Sequence, residues 1–436
     1  MFKKLAALII FLNSYCAIAE TIKTDVLVIG GGASAVTAAI QSSRSKLKTV
    51  LLVKGAWLES MQDKSMITID ANRNLPYGLW GEFRRHVQQL YKSTPGYDTT
   101  YNAPLKFEPF TGAGILKKMA DTTQRLTIKL NTPYTTVEKD GTGWKVSITQ
   151  NGRTDYIKAK ALVDATENGE VVSMAGATFP PSIAYGDNLY RTSIVSGDDL
   201  QEQAISKAKT AYPLTPAYYI PMSALVVKDA DNLFITEKAL LVKASLPVQM
   251  ATGQGVGTMA AFCAFFKTTS KNLKVRPVQS ELLDFKGYLL SFDDVDSADR
   301  YFRAIQQVAV TGLLRGTQQI KDNQIQFLFM PDSAVNSVEI KPVLSEIYSR
   351  AFIWFNNIKP AEKLTIGNTL SFISEITLTE PEAFRIKIQK EWKTKYKFKS
   401  EFNLDQPITR REFAILANQY INPFARTVDM SGRMVN

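Results

Sequence analysis

Apolar residues in the first half of this chain come in short unbroken runs rather than in strict alternation with polar ones. Asp25–Gly30 reads DVLVIG and Thr49–Val53 reads TVLLV. Aliphatic runs of this kind suit strands buried on both faces of a parallel sheet. Between them Gly30-Gly31-Gly32 leads into Ala33–Ser43, a stretch of small, helix-tolerant residues. The order is strand, tight turn, helix, strand, the setting in which a glycine motif carries most meaning. Further strands are predicted at Leu126–Lys129 and, after the Asp140-Gly141-Thr142-Gly143 turn, at Trp144–Ile148. Tyr156–Val163 reads as a longer strand that runs into Asp164-Ala165-Thr166.

Leu79, Phe83, Val87 and Leu90 recur at helical spacing and predict a helix over Leu79–Tyr91. Met250–Phe262 (MATGQGVGTMAAF) reads as a buried helix opened by glycines and small residues. After Phe292 the texture changes. Asp293–Gly316 reads as an acidic turn and an amphipathic helix, with Tyr301, Ile305, Val308 and Ala309 on its apolar face and Gly312 and Gly316 as stops. Another helix is expected over Val338–Tyr348, after a Pro331-Asp332 turn. In Phe402–Ile421, Thr409 is the expected N-cap, and Glu412 three residues later completes a capping box.

These elements predict an α/β fold: a Rossmann-like, three-layer FAD/NAD(P)-binding domain over residues 20–290, with a reduced substrate-side insertion at about 177–218. An α-helical domain over 291–436 follows. The insertion holds Ser182–Leu189, a Ser196-Gly197-Asp198-Asp199 turn and a helix over Leu200–Lys209. Residues 1–19 read as an export signal: Lys3 and Lys4, an apolar stretch Leu5–Leu12, and the small-residue site Ala17-Ile18-Ala19. That stretch is too short to span a bilayer, and nothing later in the sequence has the length and apolarity of a membrane helix. The expected location is periplasmic, envelope-associated or extracellular.

Composition narrows the chemistry. At 436 residues and 45% hydrophobic, the chain can bury large cores. Cys16 leaves with the signal, so Cys263 stands alone and offers neither a disulfide nor a cysteine metal cluster. The single histidine, His86, reads as a surface helix residue, and Ser–His triads and multi-histidine metal sites need more than it supplies. No metal site is expected. The charge is +11 with scattered lysines and no arginine–aromatic interleaving, which argues against nucleic acid as a partner. A basic exported protein favours anionic envelope polymers instead.

In the glycine motif, Gly30 permits the tight turn, Gly31 and Gly32 let the backbone approach a pyrophosphate, and Ala33 and Ser34 open the helix. Ala35 stands in for a third glycine and still allows close helix–strand packing. The helix N-terminus offers unpaired N–H groups and a positive dipole end to phosphates. The second strand ends at Val53-Lys54, where an acidic residue usually reads the ribose. A basic residue there has another reading, acceptance of the 2′-phosphate of NADP.

VIGGGASAVTAAI, DANRNLPYGLWGEF, ALVDATENGEVVSMAG and ATGQGVGTMAAF together resemble a family of exported FAD-dependent oxidoreductases, some of which carry xanthan-lyase-like labels. The resemblance runs from Thr24 to about Leu283. It implies FAD as cofactor, with Gly30, Gly31, Gly32, Ala33, Ser34 and Ala35 on the pyrophosphate. It also implies Val53 and Lys54 near the ribose, Asp164, Ala165 and Thr166 along the dinucleotide, and Tyr134 near the adenine. Gly253, Gln254, Gly255, Val256 and Gly257 would face the ribityl chain and isoalloxazine. This sequence departs from the family at Lys54, usually Glu, and at Glu59-Ser60, usually two glycines. An ammonium cannot accept from ribose hydroxyls, and losing one charge-assisted hydrogen bond costs about 1.5–3 kcal/mol.

The pieces after Phe292 resemble S-layer homology modules, which attach exported proteins to cell-wall glycans. The shared features are an acid-rich start, a helix ending in Gly-Leu-x-x-Gly, and a Thr-Arg-x-Glu-Phe helix after a proline turn. The implied function is transfer of a hydride from a small-molecule or glycan-related substrate to flavin, with an unidentified electron acceptor. The alternative is a catalytically degenerate flavoprotein fold that serves as an envelope-binding protein. No catalytic residue declares itself. Asp70, Asn72, Arg73, Arg84 and Arg191 are the polar candidates near segments the family uses.

Overall fold

The computed structural model describes residues 19–58, 61, 65–69, 76–100, 103–150, 152–180, 188–196, 219–239, 244–321 and 324–435. Residues 1–18 of the expected signal, Glu59-Ser60, Asp70, Asn72, Arg73, and the insertion's turn at 197–199 and helix at 200–209 lie outside them.

The spine of the main sheet is β1 (Thr21–Ile29), whose last four residues are buried. β2 (Thr49–Leu52) is buried throughout. A separate two-stranded ladder joins β3 (Ile67–Ile69) to β4 (Leu105–Phe107). The main sheet continues with β5 (Leu126–Lys129), β6 (Tyr134–Asp140), β7 (Gly143–Gln150) and β8 (Arg153–Asp164). β9 (Ser193–Ser196) pairs antiparallel with β10 (Tyr219–Pro221), and β11 (Leu233–Ile235) returns to the main sheet. The order is β5–β2–β1–β8–β7–β6, with β11 also against β8. β5, β2, β1, β8 and β11 are mutually parallel, with Val28 opposite Leu51 and Val163. A parallel sheet covered on both faces leaves no room for polar side chains, which is why DVLVI and TVLL read as unbroken apolar runs.

Helix α1 (Ala33–Arg44) is buried from Ala33 to Ser43. α2 (Gly78–Tyr91) buries Leu79, Phe83 and Val87 as expected, and His86 is exposed. Leu90, expected on the same apolar face, is 60% exposed because the last turn of α2 runs out into solvent. α3 (Pro109–Asp121) and the short α4 (Glu170–Met174) complete the first half. α5 (Leu246–Phe266) lies directly on α1. The approach is close: a Cβ at Gly253 would fall 2.1 Å from the Ser34 carbonyl oxygen, and one at Gly257 2.5 Å from that of Ala38.

The C-terminal third starts from α6 (Val275–Asp284) and α7 (Phe302–Ala309), whose apolar face includes Ile305, Val308 and Ala309 as expected. The ladder of β12 (Thr317–Lys321) and β13 (Gln324–Leu328) was not expected from the sequence. Five helices follow: α8 (Ser337–Ile347), α9 (Ser349–Ile358), α10 (Ile366–Thr377), α11 (Pro381–Thr394) and α12 (Arg410–Tyr420). Asn336, Thr365 and Thr409 cap α8, α10 and α12 with their side chains, and the capping box at Thr409 and Glu412 is formed. The residues just before these caps close a ring of backbone bonds. Val335 N–H donates to Ile408 C=O at 3.0 Å, Ile408 N–H to Leu364 at 2.9 Å, and Leu364 N–H to Val335 at 2.9 Å. Three strand–cap–helix units thus meet around one pseudo-threefold centre, although their sequences share little beyond the cap and its apolar neighbour.

This third is docked, not tethered. Phe292 packs against Phe327 and Phe329 at 5.0 and 5.4 Å, and one apolar cluster links Val26 to Val428. Arg191 is buried and holds Glu346 of α8 through two bonds of 2.7 and 2.6 Å. Arg191 therefore ties the segment leading into β9 to α8. Among the described residues no helix is long and apolar enough to cross a membrane, and no cluster of His, Cys, Asp and Glu is arranged to hold a metal ion.

Candidate functional site

A cavity of about 830 Å³ opens where β1, β2, β8 and β11 end. In open α/β sheets this carboxyl edge is where ligands sit, because the turns there vary without disturbing the sheet. The lining includes Gly30, Gly31 and Gly32 after β1, Val53 and Lys54 after β2, Ala165 and Thr166 after β8, and Tyr134. Four separate sequence segments, each predicted as a site element, therefore converge.

The glycine turn is fixed by contact with β8. Gly30 has φ +154°, and a Cβ on it would lie 2.0 Å from the Ala165 carbonyl oxygen. Gly30 N–H donates to Leu52, and Ala165 N–H donates to Ile29, so the three strand ends are stitched together. Gly32 is the N-cap of α1 and brings no side chain to cap it. Ala33, Ser34 and Ala35 do not line the cavity. They are buried one step behind it, where Ala33 and Ala35 pack in the core and Ser34 turns its hydroxyl to Glu237.

Asp164 is likewise placed behind the wall. Its carboxylate accepts from Thr166 N–H at 3.0 Å, Thr166 Oγ1 at 2.6 Å and Val172 N–H at 2.9 Å. Burial pushes its pKa up, and those donors oppose the shift. Its role is to shape the turn that presents Thr166, Glu167, Asn168 and Glu170 to the cavity. Glu170 N–H in turn donates to Thr166 Oγ1 at 2.8 Å.

Gly253, Gln254, Gly255, Val256 and Gly257 are not in the lining. The sequence reads them as a helix start, but α5 begins at Leu246 and they lie inside it, fully covered. Gly253 and Gly257 let α1 approach, and Gly255 faces Ile194 of β9. Gln254 accepts from Leu79 N–H at 3.0 Å and donates to Gln41 at 3.0 Å, so its amide is committed to joining three helices. The part of α5 that reaches the cavity is its first turn, through Leu246 and Gln249.

Other lining residues escaped the sequence reading: Asn168, Glu170, Glu237 and Lys238. Glu170 Oε2 accepts from the Tyr134 hydroxyl at 2.9 Å and lies 3.9 Å from Lys54 Nζ. Desolvation, and then Glu170, push the Tyr134 pKa up, so the phenol stays protonated as the donor. Glu237 and Lys238 follow β11. The clue to them was the short aliphatic run Leu233–Ile235, which behaves as one more parallel strand and so sends its next residues to the same edge.

The arrangement fits a dinucleotide. The glycines form a cradle that any side chain would fill, and the open N-terminus of α1 is aimed into it. Opposed to this, one carboxylate stands at that same helix end: a Cβ on Gly32 would lie 2.5 Å from Glu237 Oε1.

A family model described as FAD dependent oxidoreductase matches residues 25–187 and 179–282. No curated protein matches the chain. Among solved structures, OxyS anhydrotetracycline hydroxylase from Streptomyces rimosus is 13% identical, over 67% of this chain and 73% of its own, with a TM-score of 0.36. A flavoprotein/dehydrogenase from Cytophaga hutchinsonii is 15% identical, over 56% of this chain and 79% of its own, with a TM-score of 0.35. Bacillithiol disulfide reductase from Staphylococcus aureus is 17% identical over 40% of this chain, with a TM-score of 0.25, and the chain spans 49% of its length.

Proposed function

Since this chain belongs to the FAD dependent oxidoreductase family, with FAD as its cofactor, we propose that it is an exported flavoprotein oxidoreductase anchored to the cell envelope. Its substrate would be a small molecule or a glycan fragment, oxidised by hydride transfer to the flavin and followed by transfer to an external electron acceptor. The observation that carries this reading is the convergence of Gly30–Gly32, Val53-Lys54, Tyr134 and Ala165-Thr166 on one cavity at the carboxyl edge of a parallel sheet.

In this reading the amides of the glycine turn and of the first turn of α1 hold the pyrophosphate. Thr166 offers a hydroxyl beside it, and Glu170 with Tyr134 provides polar contacts for the adenosine. Met61, Ile67 and Leu246 supply apolar walls. Flavin itself carries the redox chemistry, and the protein supplies orientation and electrostatics.

The ring through Val335, Leu364 and Ile408 supports the S-layer homology reading of 291–436, because repeated modules of one design would meet around such a centre. With the basic net charge, it favours a cell-wall glycan as the envelope partner. NADP selection by Lys54 is the weaker reading, because the ammonium lies beside Glu170. A degenerate, non-catalytic fold is the second reading, and Glu237 at the N-terminus of α1 is the observation that favours it.

One preparation tests both. The purified full-length chain should show a flavin absorption band, and added FAD should raise its melting temperature. A colourless protein whose melting FAD does not shift would remove the oxidoreductase reading. The full-length chain should also sediment with purified cell wall, and recovery only in the supernatant would remove the anchoring role.

A further inference from the structure

Helix α5 leaves the core at its last turn. It is buried along most of its 21 residues, but Phe265 and Phe266 are each 59% exposed. Phe266 lies against the half-buried Phe262 at 4.7 Å and against Phe265 at 5.1 Å, so the three rings form one apolar knob. This exposure is not fraying. Lys267 ends the helix with φ 51°, and Thr268 N–H donates back to Cys263 C=O at 3.0 Å. From the turn before β11, the Asn232 side-chain amide donates to Thr268 C=O at 3.1 Å, and Asn232 N–H donates to Ser270 Oγ at 3.0 Å. A fixed scaffold thus holds two large aromatic side chains out in water, and adjacent exposed rings of this kind mark an interaction surface.

The charge beside the knob is one-sided. Between Glu237 and Glu281 the sequence has no acidic residue. Lys267, Lys271 and Lys274 follow the rings directly, and all three are exposed. Asp231 lies 3.1 Å from Lys271 Nζ, while Lys267 and Lys274 extend the positive edge on either side of that pair. Aromatic rings that enter the headgroup region, flanked by lysines that meet lipid phosphates, are the combination by which proteins settle on an anionic bilayer. A protein partner is usually gripped through pockets. These rings stand on the outside of a helix end, a shape that a fluid surface accepts.

We propose that the Phe265-Phe266 knob, with Lys267 and Lys274, is a docking point for an anionic phospholipid surface. The inference does not depend on how the cavity is read, and it is separate from wall attachment, which concerns residues 291–436. The first turn of α5 lines the cavity through Leu246 and Gln249, and the knob is the last turn of the same helix, roughly 30 Å away. A chain docked through the knob therefore keeps the cavity at the end of α5 that faces away from the lipid.

The test is cosedimentation of the chain from Glu20 onward, which keeps every described element and lacks the apolar Leu5–Leu12, with vesicles of phosphatidylcholine alone or mixed with an equal part of phosphatidylglycerol. Wild type should partition onto the mixed vesicles about tenfold or more better than onto phosphatidylcholine, and added salt should weaken it. Phe265→Ser with Phe266→Ser should lower that partition about tenfold. Lys267→Gln with Lys274→Gln should lower it too and flatten the salt dependence. Phe352→Ser, which removes a ring 61% exposed on α9, should change nothing. Should the paired serine variant fail to fold, Phe265→Trp carries the test: vesicles of bromine-labelled phosphatidylglycerol should quench its fluorescence more than that of wild type. Equal partition of wild type and a folded paired variant, or no extra quenching, would overturn the proposal. So would a dimer that needs the two rings and forms without any binding to vesicles, because the partner would then be a second copy.

Discussion

Lys54 Nζ lies 3.9 Å from Glu170 Oε2, on the oxygen that already accepts from the Tyr134 hydroxyl at 2.9 Å. The basic residue at the end of β2 therefore faces a carboxylate borne on α4. On the FAD reading proposed above, Glu170 would serve as the acceptor usually found at the end of β2, moved across the cavity. The ion pair itself is largely exposed on both sides, so it contributes about 0–1 kcal/mol, whereas a charged acceptor for ribose hydroxyls is worth about 1.5–3 kcal/mol.

Glu170→Ala should then weaken FAD binding about tenfold or more, and Lys54→Met should leave the melting temperature almost unchanged. Lys54→Glu should not tighten binding in the wild-type background, because it sets a second carboxylate beside Glu170. It should do so when combined with Glu170→Ala. Isothermal titration of the four proteins checks this. Tightening in the Lys54→Glu single variant would show that the acceptor is missing rather than moved.

The glycines of α5 make a different prediction. A Cβ at Gly253 or Gly257 would meet the backbone of α1 at 2.1 or 2.5 Å, and backbone cannot step aside as a side chain can. Gly253→Ala and Gly257→Ala should each destabilise the fold by about 1–3 kcal/mol, as overpacking does. Gly255→Ala, whose nearest neighbours are at 3.1 Å on Ile194, should be milder. FAD affinity measured well below the melting temperature should not change. A loss of affinity without a loss of stability would return these glycines to the cofactor site.

These positions mark where the sequence could be read and where it could not. The parallel strands were legible because burial on both faces erases polar residues from the run, and the glycine turn was legible because its strand and helix were. Thr409 and Glu412 were legible because a capping box is local chemistry. The meaning of ATGQGVG was not. Small residues serve equally for a ligand's approach or a neighbouring helix's, and only the three-dimensional partner, α1, decides between them. Glu170 and Glu237 were invisible for a related reason. Each reaches the cavity because a distant strand, β8 or β11, ends beside β1, and no local pattern records that adjacency.

Stability should also carry a pH signature from the junction at Asp293. Its Oδ2 accepts from Phe327 N–H at 2.7 Å, and burial, helped by the nearby Asp294, pushes its pKa up to about 6 from an ordinary 3.8. The folded protein thus keeps this proton up to about pH 6, while the unfolded chain releases it near 3.8. The stabilisation is full below 3.8 and is lost as pH rises through 6. Asp293→Asn should keep the bond from Phe327 without titrating. Its melting temperature relative to wild type should be highest above pH 6 and should decline toward pH 4. A difference independent of pH would mean that Asp293 is ionised in the fold throughout this range.

The ring in the C-terminal third predicts coupling. Asn336, Thr365 and Thr409 each sit one residue past a ring member, so each cap holds both its own helix and the strand segment that the next unit bonds to. Replacing any of the three with Ala should cost about 0.5–2 kcal/mol; at Thr409 the backbone N–H still donates to Glu412 Oε2 at 3.0 Å, so only the bond from Glu412 N–H to the hydroxyl is lost there. Once one cap is gone, the segment it held is looser, and the neighbouring cap has less ordered structure to support. Thr365→Ala combined with Thr409→Ala should therefore destabilise by less than the sum of the single changes, as contacting sites do and distant ones do not. Melting of the two single variants and the double variant at one pH measures this. Strict additivity would mean that the three units are stabilised separately and that the closed ring of backbone bonds transmits nothing between them.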